Sequence, residues 1–112
     1  MTKDHIALTH IIDAIDLVQQ YLPETLDLLE GNCRTQDAII RRLEVIGEAT
    51  KRLSPTVRET YPNVPWRQAT VLRDVLSNDS MSVNMQPVWN VAVDNLPQIR
   101  DSAILVREHR RG

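Results

Sequence analysis

The sequence predicts an all-α fold, an antiparallel bundle of five to six helices in a single domain that covers residues 1–112. Apolar residues recur at spacings of three and four along most of the chain, which is the period of amphipathic helices. Glycine is scarce, with three in the chain, and aromatic residues make up only 4%. Few glycines and many aliphatic residues favour helices over tightly turned sheet.

The first predicted helix covers about Asp4–Tyr21. One apolar stripe runs along it at helical spacing, formed by Leu8, Ile11, Ile12, Ile15, Val18 and Leu22. Pro23 ends this helix, because a proline ring interrupts helical hydrogen bonding, and residues 23–30 are predicted to form a short second helix. Gly31 and Asn32 are typical of the stop that follows.

The third predicted helix covers about Thr35–Leu53; either Thr35 or Arg34 marks its start, and Thr35 is the better N-terminal cap. Its buried face is predicted to consist of Ile39, Leu43, Ile46, Ala49 and Leu53. Ser54 and Pro55 then begin a short helix in the favoured order of a cap followed by proline.

Three further helices are predicted in the second half of the chain. A helix would run from about Pro65 to Ser77, and residues 78–80 would form a turn, because short polar side chains hydrogen-bond the local backbone. Asn84 would cap a helix over about 85–95, and Pro97 would open the last helix. The residues predicted to point inward are Trp66, Ala69, Leu72 and Leu76, and in the last helix Leu96, Ile99, Ala103 and Val106.

The charge of the chain limits how it can bind nucleic acid. Its formal net charge is −2, whereas domains that bind nucleic acid through bulk charge are usually strongly basic. Any RNA contact must therefore be local. The basic clusters of the chain are predicted to be solvated helix faces, and they comprise Arg41 and Arg42, and Arg107, Arg110 and Arg111.

The residue pattern points to no metal, no cofactor and no disulfide. Cys33 is the single cysteine, which excludes an intrachain disulfide, and we interpret it as a small packing residue. His5, His10 and His109 lack metal-ligand spacing and are predicted to lie on the surface. No apolar run approaches membrane-spanning length and the first residues show no signal-peptide core, so we expect a cytoplasmic protein without membrane contact.

One segment is unusual for a plain bundle. Arg73 and Asp74 are predicted to lie within a helix, and three polar residues follow at its end, over 78–80. This pattern could form a pocket, or it could be an ion pair followed by the end of the helix. The chemistry of these residues alone favours the helix end, since helix termini need polar groups in any case.

The order of motifs along the chain resembles that of HepT-like HEPN proteins. Residues 35–49, TQDAIIRRLEVIGEA, are very similar to the DAVIRRLEIIGEA helix of that family. Shorter similarities follow in order and at the right spacing, at residues 63–66 (IPW in the family), 73–76 (RNxL), 83–84 with 88–90 (VD and VW) and 96–98 (LP). The resemblance covers nearly the whole chain, and the matches are specific as a set.

The resemblance implies a function. Proteins of this family are ribonuclease toxins of type VII toxin–antitoxin pairs, and they cleave RNA without a metal ion. They form homodimers in which two copies of the active-site motif face each other in a cleft. The antitoxin partner, MntA, is a minimal nucleotidyltransferase that inactivates the toxin by transferring AMP groups to a tyrosine of the motif.

The family motif consists of an arginine, four residues, a histidine, one residue and a tyrosine. Aligned with it, Arg73 takes the arginine position, Asn78 the histidine position and Ser80 the tyrosine position. Asp74 stands where the family commonly has a polar residue. By this resemblance Arg73 would bind phosphate, Asn78 would occupy the general acid–base position, and Ser80 the modification position.

Two departures from the motif bear on activity. Asparagine cannot exchange a proton at neutral pH, so Asn78 predicts an impaired ribonuclease, whether the motif degenerated naturally or was changed deliberately. The alternative is a non-catalytic HEPN dimer that binds a nucleotidyltransferase partner or RNA. A third interpretation, a purely structural bundle, would require Arg73 to face solvent.

Overall fold

A computed structural model describes residues 2–67 and 85–111 of the chain. They form α1 (Lys3–Tyr21), α2 (Leu26–Glu30), α3 (Cys33–Lys51), α4 (Pro55–Thr60), α5 (Gln86–Asn90), a π-helical turn (Val91–Asn95) and α6 (Leu96–Arg111). Residues 66 and 67 are also helical, and the described ranges contain no strand. The predicted all-α class is confirmed.

Helix α1 is the centre of the bundle and packs against both α3 and α6. Its apolar stripe is buried as predicted from Leu8 to Val18, with Leu22 half-buried at the end. The same core cluster contains residues of α3 and α6 that are at most 1% exposed, namely Ile39, Leu43, Ile46, Ala49, Leu96, Ile99, Ala103 and Val106. Burying one Leu, Ile or Val side chain fully contributes roughly 1.5–3 kcal/mol, so this aliphatic core is the main source of stability.

Two polar contacts fix the register of α1 against α6. Arg100 Nε donates a hydrogen bond to Asp16 Oδ1, and Arg107 Nη1 donates to Thr9 Oγ1 at 3.3 Å. The contact at Thr9 lies two helical turns before the contact at Asp16 on α1, but its partner Arg107 lies two turns after Arg100 on α6. Helices α1 and α6 are therefore antiparallel.

The contact with Asp16 also affects the charge state of Arg100. The hydrogen bond from the guanidinium, followed by the negative charge of the carboxylate, raises the pKa of Arg100 above its already high ordinary value. The side chains of Arg100 and Asp16 are 34% and 39% exposed, and solvent screening at such a position limits an ion pair to about 1 kcal/mol or less. The pair therefore contributes more to register than to stability.

Short polar side chains begin four of the helices. Each accepts a hydrogen bond from the backbone N–H three residues ahead, at 3.0–3.3 Å. These caps are Thr2, Thr25, Asn32 and Ser54. The cap at Ser54 confirms the helix start that the sequence predicts there. Each such cap stabilises its helix by about 1 kcal/mol.

The start of α3 differs from the prediction. The cap is Asn32 and not Thr35, because the Asn32 Oδ1 atom accepts from the Thr35 N–H at 3.0 Å and so allows the helix to begin at Cys33. Cys33 itself is exposed, so its interpretation as a packing residue is wrong. The interpretation of Arg107 as a solvated residue is also wrong, because it is half-buried against α1.

The junction before Pro97 lies where the sequence predicts one, but it is not a break. The chain stays helical from Gln86 to Arg111, and the π-helical turn joins α5 to α6. Pro97 has no N–H, and in an α-helix its ring would meet the carbonyl four residues earlier. The wider turn relieves this conflict, with the Leu96 N–H donating to the carbonyl of Val91 five residues back.

A buried carboxylate joins the start of α1 to the start of α4. Asp4 is only 7% exposed. Its Oδ1 atom accepts from the Ser54 N–H at 2.8 Å, and its Oδ2 atom accepts from the Ser54 hydroxyl at 2.8 Å. Ser54 in turn caps α4 by accepting from the Val57 N–H. One aspartate therefore holds the whole α3–α4 corner against the N-terminal turn of the central helix.

We expect Asp4→Ala to lower the free energy of unfolding by about 1–3 kcal/mol, because it leaves the partly buried N–H and hydroxyl of Ser54 without their acceptor. Urea denaturation followed by circular dichroism measures the change. Asp13→Ala is the matched control, since Asp13 is exposed on the same helix, and it should alter stability by less than about 0.5 kcal/mol. Equal effects of the two variants would contradict a structural role for the Asp4 contact.

Candidate functional site

The residues that the sequence singles out for function are Arg73, Asp74, Asn78 and Ser80, and all four lie outside the described residues, as does Asn84, the predicted cap. The structure does describe the chain on both sides of them. Residues 52–67 lead into residues 68–84, which we call the motif segment, and residues 85–95 follow it.

The approach to the motif segment is fixed at Trp66. This side chain is 6% exposed, as the sequence predicts, and its Nε1–H donates to the backbone carbonyl of Tyr61 at 3.1 Å. The Trp66 N–H donates to the carbonyl of Val64 at 2.8 Å, which closes a tight three-residue turn with Pro65 at its centre. Proline restricts the backbone at that point, so the helical residues 66 and 67 start in a defined direction.

Helix α4 comes directly before this turn, and its C-terminal cap is Tyr61, whose carbonyl accepts from Trp66. Val57 is fully buried, and its carbonyl accepts from the Tyr61 N–H at 3.0 Å to end the helix. The Tyr61 ring also lies near the ring of His109, with centroids 6.2 Å apart. The segment before the motif is thus tied to α6 as well as to α4.

Arg58 connects α4 to the end of α3. Its Nη2 atom donates to the carbonyl of Thr50 at 2.6 Å, where the C-terminal end of a helix carries partial negative charge. Arg58 also lines an open cleft of about 430 Å³, together with Pro62, Val64, Trp66 and Arg67. Among these described lining residues two are arginines and none is acidic, so the described part of the lining is basic in a chain whose net charge is −2.

The chain after the motif segment returns to the core at once. Met85 is 3% exposed and Val88 is 7% exposed, while Trp89 is half-buried against the same core. The π-helical turn follows directly, and such turns occur frequently near functional sites. Trp66 before the motif segment and Met85 after it are both anchored in the bundle.

The described ranges hold no cluster of His, Cys, Asp or Glu that could bind a metal ion. None of their helices combines the length and the apolar character needed to cross a membrane. Of the histidines, His10 and His109 are exposed and His5 is half-buried.

Sequence reasoning missed three residues that the structure brings into or beside this region. Asp4 reads in the sequence as an acidic residue in a first helical turn, and nothing in its spacing predicts a contact with Ser54. Arg58 and Arg67 lie in short elements with no motif of their own. Only the tertiary structure places both arginines at one cleft.

Comparison with known proteins gives a consistent result. The family described as Ribonuclease HepT-like matches residues 11–105. A Methanocaldococcus jannaschii protein named "Gamma-glutamylcyclotransferase and putative RNase" is 35% identical over 96% of this chain, which spans 50% of that protein's length. A Thermococcus cleftensis protein named "Probable ribonuclease HepT" is 32% identical, with 88% of each chain covered. No solved structure matches the chain significantly.

We expect Trp66→Phe to lower the free energy of unfolding by about 1–3 kcal/mol, because it removes the hydrogen bond to the Tyr61 carbonyl and leaves a small cavity. Trp89→Phe makes the same chemical change at a half-buried position and should cost at least about 1 kcal/mol less. Guanidinium denaturation of both variants makes the comparison. A cost for Trp89→Phe that equals or exceeds that of Trp66→Phe would contradict the anchoring role of Trp66.

Proposed function

Because the chain belongs to the HepT-like ribonuclease family, we propose that it is a ribonuclease toxin of a type VII toxin–antitoxin system whose catalytic motif is weakened. The observation that carries this proposal is the family match over residues 11–105, which includes the whole motif segment. The substrate is RNA, and the protein acts in the cytoplasm. Arg73, Asn78 and Ser80 occupy the motif positions, with Asp74 beside the arginine in a supporting role.

The proposed chemistry needs no metal ion. A base removes the proton of an RNA 2′-hydroxyl, the resulting oxygen attacks the adjacent phosphorus, and an acid protonates the leaving 5′-oxygen as its bond to phosphorus breaks. Arg73 binds the phosphate through its planar guanidinium and stabilises the charge that develops on it. Histidine suits the proton transfers because its pKa lies near working pH.

Asn78 is the reason that we propose weakened cleavage. Its amide can donate and accept hydrogen bonds but cannot take up or release a proton at neutral pH. Loss of one general acid–base group typically lowers a rate by about 100- to 10,000-fold. Phosphate binding by Arg73 does not depend on proton transfer, so binding of RNA would be retained.

The proposed partner is an MntA-like nucleotidyltransferase that inactivates the toxin by AMP transfer. In this chain the modification position is Ser80, which keeps a hydroxyl as a possible acceptor but lacks the reach of a tyrosine ring. The second candidate function is a non-catalytic HEPN dimer that binds the nucleotidyltransferase or RNA. Asn78 and Ser80 favour this candidate, because Asn78 lacks the proton-transfer group and Ser80 lacks the aromatic ring of the motif, while the rest of the family pattern stays in place.

We expect the double variant Asn78→His, Ser80→Tyr to cleave RNA, because it restores the proton-transfer group and the aromatic hydroxyl of the motif. A gel assay on total RNA, with and without EDTA, compares it with the unchanged chain. Cleavage by the variant should exceed that of the unchanged chain at least about 100-fold, and EDTA should have no effect. Adding Arg73→Ala to the double variant should abolish the gain.

Intact RNA after incubation with the folded double variant would contradict the toxin proposal. It would leave the non-catalytic dimer as the function of this chain. Cleavage that EDTA suppresses would contradict the metal-independent mechanism.

The second expectation concerns assembly. We propose a homodimer that brings Arg73 of both subunits to one cleft, because two copies of the motif would then surround one phosphate. Light scattering at micromolar concentration should give about twice the 12.8 kDa of one chain. A monomer at that concentration would count against the shared cleft.

A further inference from the structure

We propose that the cleft between α4 and the start of the motif segment, which we call the Arg58–Arg67 cleft, binds a phosphate of the RNA backbone outside the scissile position. This inference rests on the proposed ribonuclease function and adds a second RNA contact to it. The lining residues Arg58, Pro62, Val64, Trp66 and Arg67 define the cleft.

Arg58 and Arg67 differ in how many of their N–H donors already make a hydrogen bond within the described residues. Arg58 uses one N–H for the carbonyl of Thr50, and a guanidinium has five. That contact holds Arg58 in place while its remaining donors make no hydrogen bond within the described part of the chain. Arg67 is exposed, and residues 2–67 and 85–111 provide it with neither an ion pair nor a hydrogen bond. The exposed Arg67 is thus accessible to a ligand, and Arg58 has further N–H donors beyond the one that Thr50 uses.

The chemistry of the cleft selects an anion. Arginine presents its donors in a fixed planar fork that matches phosphate oxygens. No acidic side chain is among the described lining residues to compete for these donors. A volume of about 430 Å³ is ample for a phosphate with its flanking riboses, since small-molecule sites have roughly 300–1,000 Å³.

The cleft does not offer a platform for a base. Stacking of a base needs an exposed aromatic face, and Trp66 is only 6% exposed. Its indole N–H is already used by the Tyr61 carbonyl. Val64 and Pro62 supply apolar walls without charged groups. The ligand is therefore the sugar–phosphate backbone, which makes this contact independent of RNA sequence.

The position of the cleft explains how it would serve cleavage. Trp66 and Arg67 come immediately before the segment that contains Arg73, so Arg67 lies six residues ahead of the proposed catalytic arginine along the chain. A phosphate held at a second point, away from the reacting atoms, strengthens binding of the RNA equally in the ground state and in the transition state. Arg67 is in this sense a positioning residue, since it would not touch the reacting atoms.

The test compares two arginine variants with the same change in charge. Arg67→Gln removes one cleft cation, and Arg34→Gln is the control, because Arg34 is exposed at the opposite end of α3 from Thr50. Binding of a short fluorescein-labelled single-stranded RNA to the otherwise unchanged chain is followed by anisotropy over a range of salt concentrations. Because the unchanged chain carries Asn78, binding is measured with little cleavage.

We expect Arg67→Gln to raise Kd about 3- to 10-fold and to reduce the slope of log K against log salt by about 0.7, the value for one phosphate contact on a single strand. Arg34→Gln should leave both quantities close to those of the unchanged chain. Thermal melts should be the same for all three proteins, because both arginines are exposed. In the Asn78→His, Ser80→Tyr background, Arg67→Gln should raise KM and leave kcat unchanged.

Three results separate the two proposals. Equal Kd and equal salt slope for Arg67→Gln and Arg34→Gln would overturn the cleft, while the cleavage assay on the restored motif would still support the ribonuclease. Failure of the unchanged chain to bind RNA at low salt would overturn the cleft as well. Active restored protein whose KM is insensitive to Arg67→Gln would do the same.

Discussion

Burial of one aliphatic stripe on α1 is the constraint on which the rest of the structure depends. The chain contains no Phe, so its core consists mainly of Leu, Ile, Val and Ala. Branched aliphatic side chains are compact, and a core made of them must bring helices close together to fill the space. Leu8, Ile11 and Ile15 are completely buried, and α1 packs on both long neighbours. The positions of α3 and α6 therefore follow from α1.

A chain of contacts then leads from this core to the motif. Asp4 at the start of α1 holds Ser54, and Ser54 caps α4. The end of α4 is followed by Tyr61, whose carbonyl accepts from Trp66. Each contact is modest by itself, at about 1 kcal/mol, but together they determine where the chain enters the segment that carries Arg73.

Binding of an RNA phosphate and cleavage of the RNA make different demands on the residues of this chain. A net charge of −2 does not favour attraction of RNA by the chain as a whole. In the proposed RNA complex, Arg58 and Arg67 supply the local positive charge. Phosphate binding requires only positive charge and donors, whereas cleavage requires proton transfer at the right pKa. A motif that has asparagine for histidine can therefore lose catalysis and still keep a surface suited to RNA.

The sequence by itself determined the helical class, the stripe on α1, the cap at Ser54 and the burial of Trp66, because these depend on residues close together in the chain. It did not determine the cap of α3. Asn32 is the cap, and not Thr35, because its side chain accepts from the Thr35 N–H and the helix begins at Cys33. The sequence also predicted a new helix at Pro97, where a π-helical turn keeps one continuous helix.

Only the tertiary structure decided which distant residues meet. The contact between Asp4 and Ser54 spans 50 residues, and that between Asp16 and Arg100 spans 84. The local pattern around each partner is that of an ordinary surface residue, so no periodicity could identify the pairs. The same holds for Arg58 and Arg67. The order of residues along the chain sets the period of each helix, but packing of the helices decides which charges share a cleft.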